Sequence, residues 1–236
     1  MPLAPLNLET LTTIFLTYEG RDKFVRLFQF GSRAVMGFTS GYIGKSKRLR
    51  DINELSRRLM VSLSGSRRSF RIGRELPIIT REIPQALELK NPFDKVLALV
   101  QKMAILLFFS IDHIGWMKQV RGGMRQGAEQ IQLGLKFLTL SSSLAAIFST
   151  KQLLALHGIA GKCETRDPKK VEEQKTFHKT SVVRNGMLAF QVAHLSRLYE
   201  SSDALVGSMG IVTSIIDIMP TWPERKPKEG WHVGLE

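Results

Sequence analysis

The chain has 236 residues, 34 Lys and Arg against 21 Asp and Glu, and a formal net charge of +13. That surplus calls for an anionic partner, phospholipid or nucleic acid, and the apolar content is ample for one large domain or two small ones. The single cysteine, Cys163, excludes an internal disulfide and suits a reducing compartment.

The opening run MPLAPLNLETLTTIF has no basic residue ahead of its apolar ones and reads as a poor signal peptide. Leu8, Leu11, Phe15 and Tyr18 make a short helical stripe, and Gly20 is a possible interruption before a longer one. From Glu19 to Phe38 the periodicity predicts a two-faced helix. Phe24, Leu27, Phe28, Val35 and Phe38 fall on one side and Asp22, Arg26, Gln29 and Arg33 opposite. Such a helix packs on a protein core, or lies in a lipid interface with rings in the acyl boundary and arginines among headgroups.

Gly37, Gly41 and Gly44 mark a break. A second amphipathic helix is predicted from about Asp51 to Arg74, with Ile52, Leu55, Leu59, Leu63 and Phe70 in line and Arg50, Arg57, Arg68 and Arg71 near the other side. Tyr42 to Glu82 holds 11 basic residues and 4 acidic ones, so the positive surplus is concentrated there. Pro77, Pro84 and Pro92 predict a linker over Pro77 to Pro92.

Two later segments are candidate membrane spans. Phe137 to Thr150 is uncharged for 14 residues, about 21 Å of helix, and reaches the ~30 Å hydrocarbon layer only when extended over roughly Leu135 to Ala160 with snorkelling lysines. Ala204 to Trp222 carries Asp217 as its one charge, toward the end where the cost is lower, and Trp222 suits an interface. The run Met103 to Ile111 is apolar for nine residues and reads as buried or interfacial, with Asp112 and His113 ending it.

No catalytic constellation emerges. His113, His157, His178, His194 and His232 are scattered, and there is no H-E-x-x-H, C-x-x-C, G-x-S-x-G or phosphate-binding glycine spacing. The chain is therefore read as a non-enzyme with neither cofactor nor metal.

Four stretches resemble one family. Arg21-Asp22-Lys23, Arg26 and Gln29-Phe30 follow the spacing R-D-K-x-x-R-x-x-Q-[FY]; SRRSFRIGR runs from Ser66 to Arg74; Asp112-His113-Ile114-Gly115-Trp116 fits D-x-[IV]-x-W; and Gly207 to Ser214, with Pro220 beyond, forms a glycine-containing apolar segment. Together they resemble, in order, the landmarks of the peroxin-11 family of peroxisomal membrane proteins. The resemblance implies membrane elongation before fission, self-association, contact with dynamin-type fission machinery and cytosolic termini.

The reading is thus an all-α membrane-associated protein with amphipathic N-terminal helices and one or two C-terminal membrane segments. Its expected organisation is a basic cytosolic region 1–93, an apolar membrane-associated region 94–161, a polar loop 162–185, a helix with the C-terminal membrane segment 186–222, and a tail 223–236. Phe24, Leu27, Phe28, Val35, Phe38, Leu63 and Phe70 are the expected insertion residues. Arg26, Arg33, Arg67, Arg68, Arg71 and Arg74 are the expected headgroup ligands, and Gly207, Gly210, Ser214 and Trp222 mark the membrane segment. The expected partner is an anionic phospholipid membrane, with no nucleic acid. Two alternatives stay open: a solute channel, which that family has also been proposed to form, and a soluble basic nucleic-acid binder, for which no recognised motif is present.

Overall fold

The computed structural model describes residues 6–159 and 168–223, and no strand occurs among them. Helix α1 (Leu8–Leu16) starts where the Asn7 side chain accepts from Thr10 N at 2.8 Å. Thr17 leaves the helical conformation and caps α2 (Tyr18–Thr39) by accepting from Gly20 N at 3.0 Å. The interruption expected at Gly20 is therefore at Thr17, where the hydroxyl satisfies an orphan N–H of the next helix. A 3₁₀ turn (Ser40–Tyr42) leads to α3 (Lys47–Phe70), which reverses at Gly73 with φ +85°.

The stretch from Glu75 to Leu87 is not the linker that its prolines suggest. A helical turn α4 (Glu75–Pro77), a π-helical segment (Ile78–Glu82) and α5 (Ile83–Leu87) follow without a break. Pro77 and Pro84 sit in opening turns of these short pieces, where a missing N–H removes no intrahelical bond. Asn91 then caps α6 (Pro92–Val120) at Phe93 N and Asp94 N, again with proline in the first turn. Gly122, at φ +91°, turns the chain into α7 (Met124–Ile159).

Helix α8 (Pro168–Leu195) occupies most of the expected polar loop and exposes Phe177 and Val183. Cys163 and His232 lie outside the described residues. Ser202 caps α9 (Asp203–Ile218), and a 3₁₀ turn (Met219–Thr221) ends it before Trp222.

Spatial neighbours follow the order α3, α2, α9, α8, α7, α6, and α6 returns to α3 directly and through the short helices after it. The helices therefore form a ring. Helices α2 and α9 run antiparallel: Gly37 meets Ala204, Gly207 meets Ala34, and Gly210 meets Phe30. A Cβ on Gly207 would stand 2.3 Å from Ala34 N, so this backbone approach requires glycine.

Among the described residues three helices are long and apolar enough to cross a membrane: Pro92–Val120, Met124–His157 and Asp203–Thr221. The first of them revises the reading of Met103 to Ile111. Asp112 does not end an apolar run; it sits buried within α6 because Arg68 reaches it from α3, and the helix continues to Val120. A window confined to uncharged residues misses a span whose acid is neutralised by a neighbouring helix.

Exposure is inverted relative to a water-soluble domain. Asp22, Arg26, Arg67, Asp112, Gln191 and Thr213 are buried, whereas Phe28, Phe38, Phe93, Leu133, Leu154 and Ile215 are exposed. Large apolar side chains outside and charges inside are the arrangement expected of a protein whose outer surface meets lipid.

Candidate functional site

The inside of the ring is polar because α2 and the C-terminal end of α3 turn charged residues inward. On α2, spacings of three and four residues place Asp22, Arg26, Gln29 and Arg33 on one face, with Lys23 beside them. On α3 and its C-cap the same spacing aligns Ser64, Arg67, Arg68 and Arg71. Arg67 donates to the Asp22 carboxylate at 2.9 Å and to Gln29 Oε1 at 2.7 Å, and Arg71 approaches Asp22 at 3.5 Å. Arg68 donates to Asp112 on α6 at 3.2 Å. Arg26 donates to Asp217 at 2.5 Å and to Thr213 Oγ1 at 2.9 Å, both on α9.

Asp217 is the junction of three helices. Besides Arg26 it accepts from Arg184 of α8 at 2.8 Å, and Lys23 stands 3.5 Å away. Thr213 also accepts from Gln191 of α8 at 3.3 Å. Further along the α2–α9 interface Arg33 pairs with Asp203, and Arg74 closes on Glu19 at 3.4 Å. Asp22, Arg26, Arg67, Asp112 and Asp217 are buried and so require their partners, whereas Glu19 and Asp203 keep contact with solvent.

Titration follows from these contacts. Burial works to raise the Asp22 carboxyl, but Arg67 and Arg71 outweigh it and hold it well below the usual carboxylate range. Burial pushes Lys23 down to about 8, against the opposing pull of Asp217. Burial likewise lowers the Arg67 guanidinium, with Arg71 adding repulsion that Asp22 counters.

Within the ring lies a cavity of about 640 Å³. All six arginines expected to bind headgroups, Arg26, Arg33, Arg67, Arg68, Arg71 and Arg74, line it. They share a face as the periodicity requires, but that face looks inward: Arg26 and Arg67 are buried and the other four partly so. The basic groups that face outward on the N-terminal helices are Arg21, Lys47, Arg48, Arg50, Arg57 and Arg58. Amphipathicity fixes which residues share a face and not which face the rest of the chain covers.

The expected insertion residues divide. Phe28 is 62% exposed, Val35 41% and Phe38 63%. Phe24 and Leu27 are half-buried, Phe24 packing on Phe15 of α1 with ring centres 4.9 Å apart. Leu63 and Phe70 are also half-buried, and the Arg21 guanidinium stands 5.7 Å over the Phe70 ring. Gly207 and Gly210 form the contact with α2, Ser214 returns its hydroxyl to Gly210 O, and Trp222 follows the last turn half-buried.

Sequence reasoning missed Asp217 and Asp112 as acceptors and Arg184, Ser141 and Ser142 as wall residues. One signal was present: an acid inside an apolar helix asks for a basic partner. Among the described residues no group of three His, Cys, Asp or Glu is placed to hold a metal.

All four sequence landmarks contribute to these interior contacts. Asp22 and Arg26 come from the first, Arg67 and Arg68 from the second, Asp112 from the third, and Thr213 from the fourth. No curated protein and no solved structure matches the chain. The family model of Peroxisomal biogenesis factor 11 matches residues 8–222, nearly the whole length. This membrane-type helical protein belongs to the Peroxisomal biogenesis factor 11 family, a family of the peroxisomal membrane that is generally non-enzymatic.

Proposed function

We propose that this protein remodels and elongates the peroxisomal membrane by inserting the apolar stripe of α2, promoting fission and proliferation. The observation that carries the reading is the outward stripe of Phe28, Val35 and Phe38 on a helix whose opposite face is tied up in ion pairs. Lipid covering those three side chains contributes at most about 9 kcal/mol at ~1.5–3 kcal/mol each. A wedge held in one leaflet expands that leaflet relative to the other, which favours a tubule.

Helix α9 sets the depth of α2, because the two pack along most of their lengths. Attraction to anionic headgroups falls in this reading to the outward Lys47, Arg48, Arg50, Arg57 and Arg58, at roughly 1 kcal/mol for each group near the surface. Self-association, dynamin-type fission partners and cytosolic termini complete the proposal, on the strength of the family alone.

The test uses the full chain carrying Phe28→Ser and Phe38→Ser. Liposomes of anionic composition are expected to lose most tubulation while the protein stays membrane-integrated through its other apolar helices. Undiminished tubulation by the double variant overturns the wedge. The polar cavity at the centre of the ring favours a second reading, a solute channel. Single-channel recording of the full chain in a planar bilayer decides it, and absence of conductance removes it.

A further inference from the structure

The cavity is charged on one side and greasy on the other. Around it seven basic side chains share only Glu19, Asp22, Asp112 and Asp217. Arg81, at the exposed rim of the wall, has no carboxylate partner among the described residues. Across from this face stand Ile105, Phe108, Leu135, Leu138, Leu188 and Val192 from α6, α7 and α8. The volume of about 640 Å³ falls within the ~300–1,000 Å³ of small-molecule sites. Ion pairs that are complete in themselves would leave no net charge here; these leave a positive excess in a setting of low dielectric, where an anion is bound far more strongly than in water.

One acceptor refines the ligand. Asp112 Oδ2 is buried without a hydrogen-bond donor, although Oδ1 is held by Arg68. A ligand that reached Asp112 after a small side-chain shift would bring negative charge for the arginines and a hydroxyl donor for this oxygen. An ionised carboxylate or a phosphate diester can offer the donor only from a separate hydroxyl elsewhere in the ligand, whereas a phosphate monoester can offer charge and hydroxyl from one group, since its second proton leaves near pH 6. Guanidinium groups match it in fork geometry.

We propose that the ring holds a lipid-borne phosphate monoester, of the phosphatidic acid type, with the head between Arg68, Arg71 and Asp112 and the proximal acyl carbons against the wall of α6, α7 and α8. The apolar wall and the apolar exterior of the ring argue for a lipid source over a soluble phosphate. The site is separate from the outward stripe of α2, so its failure leaves the wedge untouched.

The test is native mass spectrometry of the full chain in neutral detergent, titrated with dioleoyl phosphatidic acid, dioleoyl phosphatidylcholine or inorganic phosphate. Phosphatidic acid is expected to bind at least tenfold more tightly than phosphatidylcholine. Ala145→Phe fills the cavity from α7 without touching a charge, and Arg71→Gln removes one charge; each is expected to weaken phosphatidic acid at least tenfold. Arg57→Gln with Arg58→Gln, on the outer surface, is expected to leave it unchanged. If Ala145→Phe does not fold, judged by its helical ellipticity, Arg71→Gln and Arg81→Gln decide the outcome. Equal binding of the two lipids, or wild-type affinity in a folded Ala145→Phe, overturns the site. Displacement of the lipid by equimolar inorganic phosphate overturns the lipid assignment.

Discussion

Replacing Asp217 by Asn tests the interior network at its most connected point. The carboxylate accepts from Arg26 at 2.5 Å and from Arg184 at 2.8 Å, with Lys23 at 3.5 Å, so one substitution leaves three cations without their shared counter-charge. Breaking a buried pair by removing one partner costs about 3–5 kcal/mol, whereas an exposed pair is worth about 0–1 kcal/mol. Arg26 keeps its bond to Thr213 Oγ1, and the cavity beside it admits water, so the lower end applies. A loss of about 3 kcal/mol lowers the folding equilibrium about 150-fold, at 1.36 kcal/mol for each tenfold. The assay is denaturant unfolding of the full chain in neutral micelles, followed by far-ultraviolet ellipticity. Glu54→Gln, which removes an exposed acceptor of Arg57 and Arg58, serves as control and is expected to leave the midpoint in place. A loss under about 1 kcal/mol for Asp217→Asn would refute the reasoning, since it places the carboxylate in water.

The helix contact predicts a contrast between two glycines. Gly207→Leu is expected to cost at least about 1–3 kcal/mol by forcing α2 from α9, whereas Gly186→Ala, where nothing lies within 4 Å, is expected to stabilise α8 by about 0.5–1 kcal/mol, both read from the same unfolding curves. Asp22 predicts an acid limb. Its folded-state carboxyl is held below its unfolded value, so its stabilisation is full above about pH 4–5 and is lost as pH falls further; Asp22→Asn is expected to flatten that limb in a pH series of unfolding midpoints. Replacing Arg48, Arg50, Arg57 and Arg58 by Gln is expected to lower affinity for anionic vesicles and weaken its salt dependence, with no change on neutral vesicles, as measured by vesicle flotation.

The helical class and the two faces of α2 and α3 were legible in the chain, since a period of 3.6 residues places Phe28 and Arg26 on opposite sides without any knowledge of neighbours. The orientation of those faces was not. Which one turns inward depends on Asp217 and Asp112, about 190 and 45 residues away from their partners Arg26 and Arg68, and periodicity is silent at that range. The membrane-length apolar helix α6 was missed for a related reason: Asp112 reads as a terminator until Arg68 is placed against it. Prolines misled between Pro77 and Pro92 because each sits in a first turn or beside a cap, where it is compatible with helix. The glycines of α9 were recognised as a membrane segment, but their role as the seat of Phe30 and Ala34 needed the fold.

The account stands on α2 presenting its apolar stripe to lipid and its charged face to the ring. Site-directed spin labelling along α2 in liposomes, one position at a time on a Cys163→Ser background, reads both faces in one scan. Collision with oxygen, which concentrates in lipid, is predicted to peak at positions 28, 35 and 38. Collision with a water-soluble nickel chelate is predicted to stay low at 26, 29 and 33. Strong nickel-chelate collision at 26, 29 and 33, with the oxygen peaks kept, would contradict the account by placing the arginine face among headgroups and water.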